Sequence, residues 1–203
     1  LVQGITVGGV NTPAAATPRL TLNSGTAQAS NFLVGSDGNT GIMTITGSST
    51  ELNVSGATSI IGDTAGSNGT VKIQGGAKVT TGALTLGNNA STTGSLNVSG
   101  TGSSLTSSGV VIVGRRAHSF MNLTDGATVT TDTGAANETS PSLIIGNRPG
   151  LPIVVVDNAA LNVNQSLRIG DSTSSATGNG RLIIQNEGVV TVQNELVVGI
   201  GNG

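Results

Sequence analysis

Residues 71–114, VKIQGGAKVTTGALTLGNNASTTGSLNVSGTGSSLTSSGVVIVG, contain one pattern written twice. Val71/Ile73, then Val79, then Leu84/Leu86 with Gly87 are followed, after a polar loop, by Leu96/Val98, Leu105 and Val111/Val113 with Gly114. Each half holds three short apolar alternations of period two, the side-chain period of a strand buried on one face and wet on the other. Gly, Asn, Ser and Thr fill the intervals, as turn segments require.

Outward from this stretch the same template covers almost the whole chain. The pair that opens each unit recurs as Leu20/Leu22, Met43/Ile45, Val71/Ile73, Leu96/Val98, Met121/Leu123, Ile153/Val155 and Leu182/Ile184. The pair that closes it recurs as Ile5/Val7, Phe32/Val34, Ser59/Ile61, Leu84/Leu86, Val111/Val113, Leu143/Ile145, Leu167/Ile169 and Leu196/Val198. A glycine follows each closing pair: Gly8, Gly35, Gly62, Gly87, Gly114, Gly146, Gly170 and Gly199. Subtracting each position from the next gives 27, 27, 25, 27, 32, 24 and 29, a repeat of about 27 residues that varies in its loops. Self-similarity of this length signals stacked units, none of which buries its apolar face alone.

Three strands per unit and no helical window narrow the architectures. A propeller blade takes four strands and about 40 residues, and a leucine-rich repeat carries a regular Asn or Cys ladder. The expected fold is all-β, a parallel β-helix of about 7–8 coils over residues 1–203, roughly 35 Å long at a strand spacing of about 4.8 Å. Leu84, Leu86, Leu96, Val98, Val111, Val113, Leu143 and Ile145 are expected to point inward and stack in columns.

Composition agrees with an ordered chain of unusual make-up. Aromatics are 1% and charged residues 9%, which would suit disorder only with low hydrophobicity and high net charge. Mean hydropathy is instead +0.17 and net charge −2, with Thr, Val, Ile and Leu supplying the buried area. No run of 18 apolar residues offers a membrane-spanning helix. Eight scattered Lys and Arg at a pI near 5.1 argue against nucleic acid as a partner. The absence of cysteine argues against a disulfide scaffold and suits a chain that crosses an oxidising compartment unfolded.

Units such as GSLNVSGTGSSLTSSGVVIVG, GTVKIQGGAKVTTGALTLGNN and TGNGRLIIQNEGVVTVQNELVVGIGNG resemble the repeats of bacterial autotransporter passenger domains of the pertactin-like and adhesin type. The resemblance spans essentially all 203 residues. It implies a right-handed β-helix, export across a Gram-negative outer membrane, and display at the cell surface or release from it. It also implies that the chain is a segment of a longer passenger whose membrane barrel lies elsewhere. It does not specify an activity, because adhesins, self-associating factors, toxins and receptor ligands share the scaffold.

The loops after the corner glycines are expected to leave the rod along one edge, and most are small and polar. Two differ. Residues 115–120, RRAHSF, hold Arg115, Arg116, the sole histidine His118 and Phe120, and residues 147–152, NRPGLP, hold Arg148 and Leu151. Guanidinium forks suit sulfate, carboxylate or phosphate, so these six residues are the candidate binding site, for an anionic glycan or an acidic receptor loop. The expanded segment 131–142 is the next candidate, since loops that interrupt a solenoid are where binding tends to reside.

Catalytic chemistry finds weaker support. Ser119 adjoins His118 in sequence and Asp125 lies one strand away, but a triad needs its members opposed in space. Asp37 with Asp63, and Asp125 with Asp157, are the acid pairs that the template would bring together, for Ca²⁺ or for acid–base work. Neither gains a third acid, and no Trp or Tyr is present to stack on sugars. Sequons at Asn53, Asn89, Asn97, Asn122 and Asn137 are expected by chance in so Asn- and Thr-rich a chain. The expected role is therefore non-enzymatic, without metal or cofactor: contact with a host-surface protein, an anionic glycan or a like passenger. A released ligand for a host receptor is the alternative, ahead of a polysaccharide-active enzyme.

Overall fold

The computed structural model describes residues 4–9, 17–56, 58–132, 141–171 and 178–200. Within them 22 strands and no helices form three sheets of eight, seven and seven strands. Every pairing is parallel, and each strand pairs with the strand three places on. That arrangement is a β-solenoid: the chain turns through three faces per coil, and one sheet runs along each face.

Sheet I contains the closing strands, Ile5–Val7, Phe32–Val34, Thr58–Ile61, Ala83–Leu86, Val111–Val113, Pro141–Ile145, Ser166–Asp171 and Leu196–Ile200. Sheet II contains the opening strands, Arg19–Leu22, Thr40–Thr46, Asn68–Gln74, Thr93–Ser99, His118–Thr124, Ile153–Asp157 and Arg181–Gln185. Sheet III contains the middle strands, from Gly25–Ala29 to Val189–Val192. Parallel strands within one sheet need a crossover, here supplied by the other two faces, and such crossovers are right-handed as a rule.

The core is a set of aliphatic columns. Val71, Leu96 and Met121 occupy one level of sheet II, and Ile73, Val98 and Leu123 the next. Leu84, Val111 and Leu143 stack in sheet I, with Leu86, Val113 and Ile145 beside them. All of these are at most 1% exposed, as the alternation predicts. Burying each such side chain is worth about 2 kcal/mol, which offsets the ordering of a chain otherwise rich in small polar residues.

One opening pair is out of phase with the expectation. Met121 lies level with Val154 and Leu123 with Val156, so Val154 and Val156 are fully buried while Ile153 and Val155 face outward. The cause is the run Ile153-Val154-Val155-Val156, which is apolar on both faces and leaves the alternation without a phase. Register with the neighbouring strand, rather than polarity, decides which pair goes inside.

A second repeated feature is steric. Gly41, Gly69, Gly94 and Gly180 each stand two residues before an opening pair, and a Cβ on any of them would overlap the carbonyl oxygen of Val7, Val34, Ile61 or Ile145, respectively. These glycines form a seam where the opening strand passes against the closing strand of an earlier coil. Side chains occupy the equivalent place at Pro18, immediately before the first opening strand, and further along the rod at Ser119 and Pro152.

Candidate functional site

Beyond the first coil, the interruptions of the glycine seam coincide with the two unusual loops. At ordinary corners, the glycine and the residue after it donate to consecutive carbonyls of the preceding corner: Gly62 N–H to Val34 O at 2.8 Å and Asp63 N–H to Gly35 O at 2.9 Å. At the next corner but one, Gly114 and Arg115 N–H groups both reach Leu86 O, at 2.9 and 3.4 Å, and Arg116 N–H takes Gly87 O at 3.2 Å. Arg115 is thus one extra residue, bulged out of the corner ladder.

The following loop closes on this bulge. Gly146 N–H donates to Val113 O at 2.9 Å and Asn147 N–H to Gly114 O at 3.2 Å. A Cβ on Gly114 would lie 2.6 Å from the Pro152 ring, and one on Gly150 would lie 2.6 Å from Ala117 O. Ala117 is 3% exposed beneath this contact. The loops at 115–120 and 147–152, whose corner glycines are 32 residues apart (146 − 114), are therefore packed against each other at backbone distance.

Arg115 and Arg116 are exposed and Arg148 half-buried. Arg115 Nη1 donates to Asn88 Oδ1 at 3.0 Å, and Asn88 Nδ2 donates to Asp63 Oδ1 at 2.8 Å, so an amide links this guanidinium to a carboxylate two coils back. Arg148 Nε is shut off from water without an acceptor, so its guanidinium is laid against the loop. None of the three is ion-paired among the described residues, where the salt bridge is Arg168 to Asp171 at 3.7 Å.

His118 begins its strand level with Thr93 and is exposed, whereas Ser119, the next residue, is fully buried. They project from opposite faces of the strand, and the Ser119 hydroxyl has no hydrogen-bond partner. Asp125 Oδ2 accepts from Thr124 Oγ1 at 2.8 Å. The three residues weighed as a triad therefore form no hydrogen-bonded relay.

Both proposed acid pairs are displaced by one residue. Asp63 is level with Ser36, not Asp37, because their N–H groups take the equivalent carbonyls Gly35 O and Gly8 O. Asp157 is level with Thr124, not Asp125, the same slip that moved the buried pair. Gln185 Nε2 and Asn186 Nδ2 donate to Asp157 at 2.9 and 2.8 Å. Those two bonds hold its carboxyl below the usual aspartate range, the Gln185 bond first, against a smaller opposing effect of burial. No cluster of three or more metal-ligating side chains exists among the described residues. Most of the expanded segment 131–142, including Glu138 and Asn137, lies outside the described residues.

Phe120, 37% exposed, belongs to an outward column of sheet II that continues through Ile153 to Arg181. Leu151, 57% exposed, Pro152 and Ile153 form one wall of a groove of about 620 Å³, with Ile169, Arg181 and Val198 on its other sides. Arg181 was not among the expected site residues. Its signal was in the alignment of the repeats: it occupies in its unit the place that Phe120 occupies two units earlier.

No protein-family model matches the chain, and neither a curated protein nor a solved structure matches it. The class defined by the coordinates is a three-sheet parallel β-solenoid.

Proposed function

We propose that this solenoid is part of a passenger of the autotransporter type, displayed on a Gram-negative cell surface and acting by contact, as an adhesion or association module. The observation that carries this reading is the stacking of corner loops along one edge of a regular rod, where residues 115–120 and 147–152 join into one packed platform. A scaffold with aliphatic columns inside and interchangeable polar loops outside holds such a platform rigid, and the resemblance of its repeats to passenger repeats supplies the setting. The partner is a host-surface protein, an anionic glycan or a second passenger.

Antibodies raised against residues 1–203 test the setting. On intact cells that produce the protein, they should label the surface, and external protease should remove the label. Label found only in the culture medium would favour a released ligand, and label found only after cell disruption would overturn the reading.

A further inference from the structure

We propose that the edge formed by Arg116, Arg148, Phe120, Leu151, Ile153 and Arg181 is a binding site for an acidic glycan lying along the solenoid axis. The inference rests on the contact-module reading above and adds the ligand's chemistry and the residues that meet it.

The cations do not share one role. Arg115 is tied back to Asn88, and through it to Asp63, so its charge is partly compensated and its guanidinium is held toward the earlier coils. Arg116 is exposed, and Arg148 is held with its Nε against the loop, so neither spends its guanidinium on a carboxylate among the described residues. A half-immobilised guanidinium loses less side-chain freedom on binding than a free one. Contact between Gly150 and Ala117 places the two loops that carry these side chains together.

Between these two arginines and Arg181 lies apolar surface. Phe120, Ile153 and Arg181 occupy successive levels of one outward column, so about two strand spacings, roughly 9.6 Å, separate the aromatic ring's backbone from that of the cation. Phe120 is the exposed member of the chain's two phenylalanines, the other, Phe32, being 2% exposed. Exposed Leu151 flanks the column. An aromatic face and aliphatic side chains bounded by guanidinium groups match a polymer that alternates apolar ring faces with sulfate or carboxylate groups. The carbohydrate is favoured over an acidic peptide because the surface is a strip along the rod with its cations at both ends, rather than a pocket for one side chain.

The test is titration of the purified 203-residue chain with heparin oligosaccharides, oligogalacturonate, neutral dextran and polyglutamate, at low and high NaCl. The expected result is binding to at least one acidic glycan, weakened by salt, with none to dextran. Arg116→Ser with Arg148→Ser should weaken it more than about tenfold, and Arg181→Ser and Phe120→Ala each by about tenfold. Arg115→Ser should stay within about threefold of the parent. Arg19→Ser, at the far end of the same outward column, is the control for bulk charge and should change nothing. Unchanged melting temperatures would certify the fold of every variant. Parental affinity in the Arg116/Arg148 double variant, an equal loss in Arg19→Ser, or binding to polyglutamate but no glycan would each overturn the site. Surface labelling with no glycan binding would sink the site alone, whereas glycan binding by a chain that is not on the surface would sink the display reading alone.

Discussion

Gly69 presses against the carbonyl oxygen of Val34 so closely that no side chain fits between them. The same contact recurs at Gly41, Gly94 and Gly180, which makes the seam a steric requirement of the coil rather than a matter of turn preference. The obstacle is backbone, so it cannot rotate away. Replacing Gly94 with Ala should destabilise the fold by about 3 kcal/mol or more, read as a lower denaturant midpoint. A midpoint equal to the parent's would show that neighbouring coils slide apart at little cost.

Ser119 sits at the equivalent place with its hydroxyl buried and unpartnered. Removing only that oxygen with Ser119→Ala deletes a desolvated polar group while keeping the Cβ that the local backbone already accommodates. The change should stabilise the protein by about 1 kcal/mol. Destabilisation would reveal a partner for the hydroxyl.

Leu96 stacks between Val71 and Met121 and is 1% exposed. Leu96→Asp would place a carboxylate in a dry column with no counter-charge, at a cost of about 4 kcal/mol or more. A variant that melts like the parent would mean that the inward face is assigned backwards.

Asp157 offers a pH test. Its carboxyl titrates below the usual aspartate range because Gln185 and Asn186 donate to the charged form. The group is easier to ionise folded than unfolded, so its contribution is complete above the ordinary aspartate pKa and disappears as pH falls through the depressed folded value. In Asp157→Asn that acid-range loss of stability should be smaller, and in the parent protein the titration of the Asp157 carboxyl, followed by NMR, should lie below that of a free aspartate.

Much of the fold was legible because alternation repeats: seven of the eight closing pairs are fully aliphatic or aromatic, and their glycines mark the corners. Legibility failed where polarity stopped alternating. In Ile153–Val156 both faces of the strand are apolar, and only pairing with Met121 and Leu123 fixes the phase. Val154→Asn should therefore cost about 3 kcal/mol, while Val155→Asn should stay within about 0.5 kcal/mol, since Asn97 and Asn122 already occupy its outward column and hydrogen-bond at 3.0 Å. The acid pairings failed for a related reason: a shift of one residue turns facing carboxylates into a carboxylate beside a hydroxyl. The packing of the two arginine loops was legible from the corner glycines. The bulge at Arg115 was not, since it depends on which carbonyl an N–H selects. The seam was present as a glycine two places before the opening pairs in GIMTI, GTVKI, GSLNV and GRLII, and its absence from PRLTL, SFMNL and PIVVV would have marked the first coil and the same two loops.

The pairing of each strand only with the strand one coil before and one coil after also has a mechanical side. Tension applied at the two ends of such a rod meets the coils in series, and the terminal coil can peel away without breaking a bond deeper in the stack. Each coil released frees a length of chain such as the 27 residues from Ile5 to Phe32 (32 − 5), or about 90 Å of contour. Stretched between two cells, the protein would lengthen in steps and keep its remaining coils folded, a yielding tether rather than a stiff strut.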